Sequence, residues 1–191
     1  MSLLLLQNAK GLGHIRAKAL IDRCQSAEEA LRWARKTRSN RPVWVSELVS
    51  LENERRAFEE GERIQQKGWR IFGYGQPDFP LNLRNIPDAP LVLFAEGEAD
   101  LSDSRLLSVV GTRRMTPYGA GFCRELIQEL SPYRPTIVSG FAEGIDITAQ
   151  MEAVRLGLPT VACLAHGLLQ LYPEVHRPFK KAVLEPVSYT H

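Results

Sequence analysis

Between Val110 and Tyr118 the chain reads Val-Gly-Thr-Arg-Arg-Met-Thr-Pro-Tyr, a set of residue types able to hold a phosphate. Gly111 lets backbone come close to an anion, and Thr112 and Thr116 offer hydroxyls. Arg113 and Arg114 offer planar, permanently charged donors matched to phosphate oxygens. Thr116-Pro117 supplies a cap residue and a first-turn proline, so a helix is expected to begin here with its N–H groups and dipole facing the same loop. The plainer alternative is an ordinary turn with two solvated arginines. A second stretch, Ser139-Gly140-Phe141-Ala142-Glu143-Gly144, is the other loop expected to face a ligand, its plainer alternative being a small-residue strand-to-helix turn, which needs none. Within it Phe141 either stacks on a base or packs inward, and packing is favoured.

Hydrophobic runs set the elements that position these loops. Leu106 to Val110, Thr136 to Val138 and Thr160 to Leu164 read as buried strands. Between the first two, Tyr118, Phe122, Cys123, Leu126, Ile127 and Leu130 recur at spacings of three and four, which places them on one helix face. Ile145 to Leu156, stopped by Gly157, is the next helix. Strand, helix, strand, helix, strand is the order of a Rossmann-like α/β unit with a parallel sheet. Such sheets bind ligands outside the carboxyl ends of their strands, where both loops fall and should adjoin.

Ahead of this unit the chain is helical in character. Lys10-Gly11-Leu12-Gly13 breaks it into a hairpin whose second helix is expected to present Ile15, Ala19, Leu20 and Cys24 on one face. A Gly-x-Gly turn of this kind serves helix-hairpin-helix domains at DNA phosphates, but it also simply permits a tight turn, and that reading is preferred. Ser26 and Glu29 form a capping-box start. The basic stretch Arg35 to Pro42 reads as a solvated loop, and Glu52 to Lys67 as a charged surface helix ended by Gly68. Two short strands are expected at Trp69 to Phe72 and Leu91 to Phe94, with irregular backbone between them. The expected domains are therefore 1–67, small and all-helical (SAM-like, helix-hairpin-helix), and 68–191, a Rossmann-like domain.

At 191 residues, 44% hydrophobic and 24% charged, the composition is that of a folded globular chain. The net charge of +2 is too small to diagnose a polyanion binder, so local patches must do so. Leu3 to Leu6 is too short for a membrane span or a signal-peptide core, which points to the cytoplasm. The three cysteines, Cys24, Cys123 and Cys163, lack metal-ligand spacing and are expected as buried thiols. His14, His166, His176 and His191 build no site and read as surface or loop residues. Gly-x-Gly-x-x-Gly and Gly-x-x-x-x-Gly-Lys-Ser/Thr are both missing, which counts against NAD and ATP chemistry. Glu143 and Asp146 can be imagined as an acid/base pair, but Asp146 is better explained as a first-turn carboxylate favoured by the helix dipole. No catalytic residue, metal or cofactor is expected.

The stretch from Val110 to Gly119 resembles the Gly-Ser/Thr-Arg-x-x-Thr-x-Tyr-Gly motif of the DNA-processing protein A (DprA, or Smf) family. Phe79-Pro80, Leu83, Ile86-Pro87, Pro90 and Leu93-Phe94 are similar to its upstream pattern. Ser139-Gly140-Phe141-Ala142-Glu143-Gly144-Ile145-Asp146 resembles its Ser-Gly-x-Ala-x-Gly-Ile-Asp, and His166-Gly167-Leu168 to Tyr172-Pro173 its Gly-Leu-x-x-x-Tyr-Pro. The resemblance implies a non-enzymatic accessory protein of natural transformation and homologous recombination. It would bind single-stranded DNA, protect the incoming strand and help load the RecA recombinase. Carried over by position, Arg113 is the chief phosphate contact. Gly111, Thr112, Arg114, Thr116, Ser139, Gly140 and Phe141 complete the expected nucleic-acid site.

This sequence also departs from that pattern. Gln150 stands where the family has His, and acidic Glu143 stands where a basic or neutral residue is common, which should weaken polyanion binding at that edge. The chain ends before the family's Phe-Pro-x-Arg-Asn-Arg segment, and Leu184 to His191 match nothing expected there. The sheet is therefore expected to be incomplete, and the homodimer of the full-length family is not expected of this chain. Two competing readings remain: a nucleotide-processing enzyme related to LOG-type phosphoribohydrolases, whose Pro-Gly-Gly-x-Gly-Thr-x-x-Glu motif is missing, and a scaffold that binds only protein.

Overall fold

A computed structural model describes residues 1–37, 41–98, 100–101 and 105–184. Arg38, Ser39 and Asn40 of the basic stretch, and residues 185–191 at the end of the chain, lie outside the described residues. The chain forms two compact units, 1–95 and 96–191.

The first unit begins with α1 (Ser2–Asn8), α2 (His14–Cys24) and α3 (Ala27–Lys36). In the turn between α1 and α2, Gly11 and Gly13 take positive φ angles of 79° and 64°, and Leu12 between them is buried. Arg16 donates to the Gly11 carbonyl at 2.8 Å, so the glycines are accounted for by the turn itself. The inward stripe of α2 is not the expected one, because Ile15 and Ala19 are exposed. Ala17, Leu20 and Ile21 are buried and Cys24 is half-buried, the i, i+3, i+4, i+7 pattern. Lys18 hides this phase in the sequence. It is buried beside the stripe because its ammonium donates to the Pro87 carbonyl at 2.7 Å and lies 5.5 Å from the Tyr74 ring centre.

Ser26 caps α3 by accepting from Glu29 N at 3.1 Å. Arg35 reaches Glu54 at 3.4 Å and Arg41 donates to the Thr37 carbonyl, so these two arginines of the basic stretch are tied to their own surroundings. α4 (Val43–Leu48) and α5 (Leu51–Lys67) complete the helices. The fully buried Asn53 pins them, its amide donating to the carbonyls of Leu5 at 2.9 Å and Leu48 at 3.1 Å.

β1 (Arg70–Gly73) and β2 (Val92–Ala95) pair antiparallel with Phe72 opposite Leu93, and the short α6 (Leu81–Arg84) lies between them in sequence. Leu91 and Val92 are buried in the same core as Leu4, Leu6, Leu31 and Leu48. The first unit is thus helical with an added hairpin. Its boundary falls after Ala95 instead of after Lys67, because the hairpin buries its apolar residues on the helices.

The second unit is α/β. β3 (Leu106–Ser108), β4 (Thr136–Ser139) and β5 (Thr160–Ala162) form a parallel sheet in the order β3-β4-β5. α7 (Pro117–Leu130) connects the first two strands and α8 (Ile145–Arg155) the second two, with α9 (Arg177–Leu184) after a 3-10 turn at Glu174–His176. Cys123 and Ile127 of α7, Ile137 of β4, and Ala149 and Ala153 of α8 form its core. β3 is half-buried and Val110 is 73% exposed, so the first strand is less enclosed than its apolar run implies. The expected face of α7 is also split: Tyr118 and Phe122 point to solvent while Cys123 and Ile127 point inward.

Glu152 couples α8 to α7. Its carboxylate accepts from Gln128 at 2.8 Å and from Arg155 Nε at 3.0 Å while only 6% exposed. The hydrogen bonds from Arg155 hold its carboxyl below the ordinary glutamate range, and Gln128 adds to that against the opposing effect of burial. A depressed folded-state pKa contributes stability above the unfolded-state value of about 4.3, and that contribution is lost as pH falls through the folded-state value. Glu152→Gln should therefore cost about 1 kcal/mol at neutral pH. In urea titrations its curve should merge with that of the wild type only once the pH has fallen below the depressed folded-state value; a gap that persists into strong acid would exclude the carboxylate as its source.

Candidate nucleic-acid interface

The two loops predicted to hold phosphate leave the carboxyl ends of β3 and β4 and adjoin one another. Asp146, in the first turn of α8, joins them: one carboxylate oxygen accepts from Gly111 N at 3.2 Å and the other from Gly140 N at 3.1 Å. The Asp146 side chain is therefore a strut across the site as well as a first-turn carboxylate, and the backbone N–H groups of Gly111 and Gly140 are already engaged. A single signal for this strut exists in the sequence, an Asp two residues after a glycine at a helix start, and it does not say which groups the carboxylate meets.

Close backbone approach explains the glycines. Gly144 has φ +85°, and a Cβ there would lie 2.2 Å from the Thr112 carbonyl oxygen. That carbonyl accepts from Ile145 N at 3.2 Å, which locks the first loop onto the start of α8. A Cβ on Gly111 would lie 2.7 Å from Ile145. The hydroxyls are used locally as well: Thr112 accepts from Arg114 N at 3.1 Å, and Thr116 caps α7 by accepting from Gly119 N at 3.1 Å. Ser139 is buried and donates to the Val109 carbonyl at 2.6 Å, linking β4 to the end of the first strand.

Arg113 and Arg114 are different. Both are exposed, and among the described residues neither side chain has a hydrogen bond or ion-pair partner. The first turn of α7 holds no acidic residue, so the helix dipole is not neutralised by a side chain there. Rigid backbone beneath two free guanidinium groups is an arrangement suited to an incoming anion.

Phe141 is not available to stack on a base. It is 2% exposed, sits at φ 56°, and packs edge-on against the His176 ring at 5.3 Å. His176 Nδ1 donates to the Phe141 carbonyl at 2.8 Å, so the same residue holds both the ring and the strained backbone. His176 itself is buried, not a surface residue, because Phe141 and Phe179 enclose it. The cysteines also diverge from expectation. Cys123 is buried, which pushes its thiol up, Cys24 is half-buried and Cys163 is exposed just past β5. Gln150 is fully buried, and neither atom of its amide has a hydrogen-bond partner. Among the described residues, no group of three or more His, Cys, Asp or Glu is placed to hold a metal, and no helix is long and apolar enough to cross a membrane.

Residues 70–188, which include both loops, match the family described as DNA recombination-mediator protein A. The chain belongs to that family. Its curated relatives include the protein Smf of Synechocystis, 34% identical over 70% of this chain and 34% of that protein. The DNA processing protein DprA of Streptococcus pneumoniae is 38% identical over 52% of this chain and 35% of its own length. The chain thus spans about a third of the length of these relatives. Among solved structures, DprA of S. pneumoniae superposes with a TM-score of 0.71 at 24% identity, covering 96% of this chain and 64% of that one. DprA of Helicobacter pylori, solved for its single-stranded DNA binding mode, superposes with a TM-score of 0.52 at 28% identity, over 62% of this chain and 53% of that one. These matches agree with the α/β fold and with the family that the motifs resemble.

Proposed function

We propose that this chain binds single-stranded DNA through the loop Gly111 to Thr116 and acts, without catalysis, as an accessory of natural transformation and homologous recombination. The observation that carries the reading is the pair of exposed, partner-free arginines, Arg113 and Arg114, on a loop held by Asp146 and Gly144. Family membership supports it, as does the similarity to a protein solved for its single-stranded DNA binding mode. Arg113 is the chief phosphate contact, Arg114 and the start of α7 add positive potential, and Gly111, Thr112, Thr116, Ser139 and Gly140 set the shape of the loops. The Glu143 carboxylate, exposed on the second loop, opposes binding at that edge. Protection of an incoming strand and delivery to RecA are the roles this binding would serve, and both belong to the fuller assembly of the family.

Salt-dependent binding of a labelled oligonucleotide tests the reading. Anisotropy at low ionic strength should show micromolar or tighter affinity that weakens steeply with salt. Arg113→Ala should weaken it about tenfold or more and reduce the log–log salt slope by about 0.7, the loss of one phosphate contact on a single strand. No salt-sensitive binding, or normal binding by Arg113→Ala, would discard the assignment. Turnover of a nucleoside monophosphate would instead favour an enzyme; against that, both oxygens of Asp146, the buried carboxylate of this site, are engaged by backbone N–H groups.

A further inference from the structure

Tyr118 and Phe122 stand one turn apart on α7 with their rings nearly parallel, 22° between planes and 6.5 Å between centres. They are 81% and 56% exposed, whereas Ala120, Cys123 and Ile127 carry the inward face of the same helix. Two large rings stacked on each other in water leave outer π-faces uncovered, and the core of the unit offers them nothing. Their place in the chain is specific. Tyr118 is the second residue of α7, and Arg113 and Arg114 lie just ahead of the Thr116 cap. Even fully extended chain between Arg113 and Tyr118 spans no more than about 18 Å. The rings therefore belong to the same end of α7 as two free cations and an unneutralised helix N-terminus.

That combination selects its occupant by charge. A neutral apolar partner would bury the arginines beside it without compensation, while a duplex hides its base faces in the stack. A single strand supplies both complements at once, phosphates for the guanidinium groups and open base faces for the rings. Phe141, the aromatic residue of the second loop, is enclosed and contributes no face.

We propose that Tyr118 and Phe122 form a base-stacking platform for single-stranded DNA whose backbone is held at Arg113 and Arg114. The platform rests on the phosphate-binding role assigned to that loop above, and it adds a second set of contacts with a different chemistry.

The two contributions separate when the full chain is titrated with a labelled oligothymidine and with an abasic strand of equal length. The double variant Tyr118→Ala/Phe122→Ala, both at exposed positions, should bind oligothymidine about tenfold more weakly. Its affinity for the abasic strand and its salt slope should be those of the wild type. Exchanging the rings, Tyr118→Phe/Phe122→Tyr, should retain oligothymidine binding, whereas leucine at both positions should not. Arg113→Ala should weaken both probes. A double variant that matches the wild type on oligothymidine, or loses both probes equally, overturns the platform and leaves the arginine site standing. Conversion of a self-associated protein to monomers by the double variant, with DNA affinity unchanged, also overturns it by assigning the rings to a protein interface. Failure of the wild type to bind either strand would remove the underlying DNA-binding reading and the platform together.

Discussion

Gly144→Ala should destabilise the second unit by about 4 kcal/mol. Two independent costs add. The backbone at φ +85° and ψ −128° is one that a side-chain-bearing residue rarely adopts. The new Cβ would also meet backbone, the Thr112 carbonyl oxygen at 2.2 Å and Arg113 Cα at 2.8 Å, so no side-chain rotation relieves the contact. The first loop must move, which breaks its bond to Ile145 N and displaces Arg113. Loss of stability and loss of oligonucleotide affinity should therefore appear together. Gly121→Ala is the contrast. It sits inside α7 with nothing within 4 Å of a Cβ, and it should stabilise the unit by about 0.5–1 kcal/mol. Because Trp33, Trp44 and Trp69 all lie in the first unit, tryptophan fluorescence does not report directly on the second. Amide exchange in β3 and β4 is the measurement to use. Equal protection in Gly144→Ala and the wild type would refute the clash.

Asp146→Ala should cost about 2–4 kcal/mol, since it strips an ionised acceptor from two backbone donors at once. Gly111 is exposed and water can replace part of its loss, whereas Gly140 is half-buried and recovers less. Asp146→Asn is nearly isosteric but should cost almost as much, because an amide presents only one acceptor and turns N–H groups toward the other donor. The same exchange experiment reads the result, with the largest rise expected at the amides of Gly111 and Gly140. An asparagine variant with native protection there would show that shape, not the paired acceptors, holds the loops. Both outcomes are independent of any ligand, so they examine the scaffold apart from the proposed DNA contact.

Much of this architecture is legible in the sequence. The parallel β3-β4-β5 order follows from alternating strand and helix runs, and the Ser26 and Thr116 caps were visible as residue types at helix starts. The positions of both loops follow from the same alternation. Helix phase was less legible wherever residues with two natures took part. Lys18 is polar by formula but buried by its stem and its bond to Pro87, and this rotated the predicted face of α2. Tyr118 and Phe122 are aromatic but exposed, and this widened the predicted face of α7. The first compact unit extends to Ala95 for a related reason. A short apolar strand announces that it will be buried and does not announce against what.

The loop from Gly111 to Thr116 shows the same division. Residue types alone determined that Gly111, Thr112, Arg113, Arg114 and Thr116 share one strand-to-helix turn, because strand and helix periodicity and capping chemistry act over a few residues. Only the tertiary structure decided which of these groups remain free. Asp146, 35 residues from Gly111, takes the backbone donors, Gly144 receives the Thr112 carbonyl, and His176 draws Phe141 inward. Arg113 and Arg114 are left open to solvent. Hydrogen-bond satisfaction and close packing are settled between distant segments, and composition and spacing carry no record of those distances.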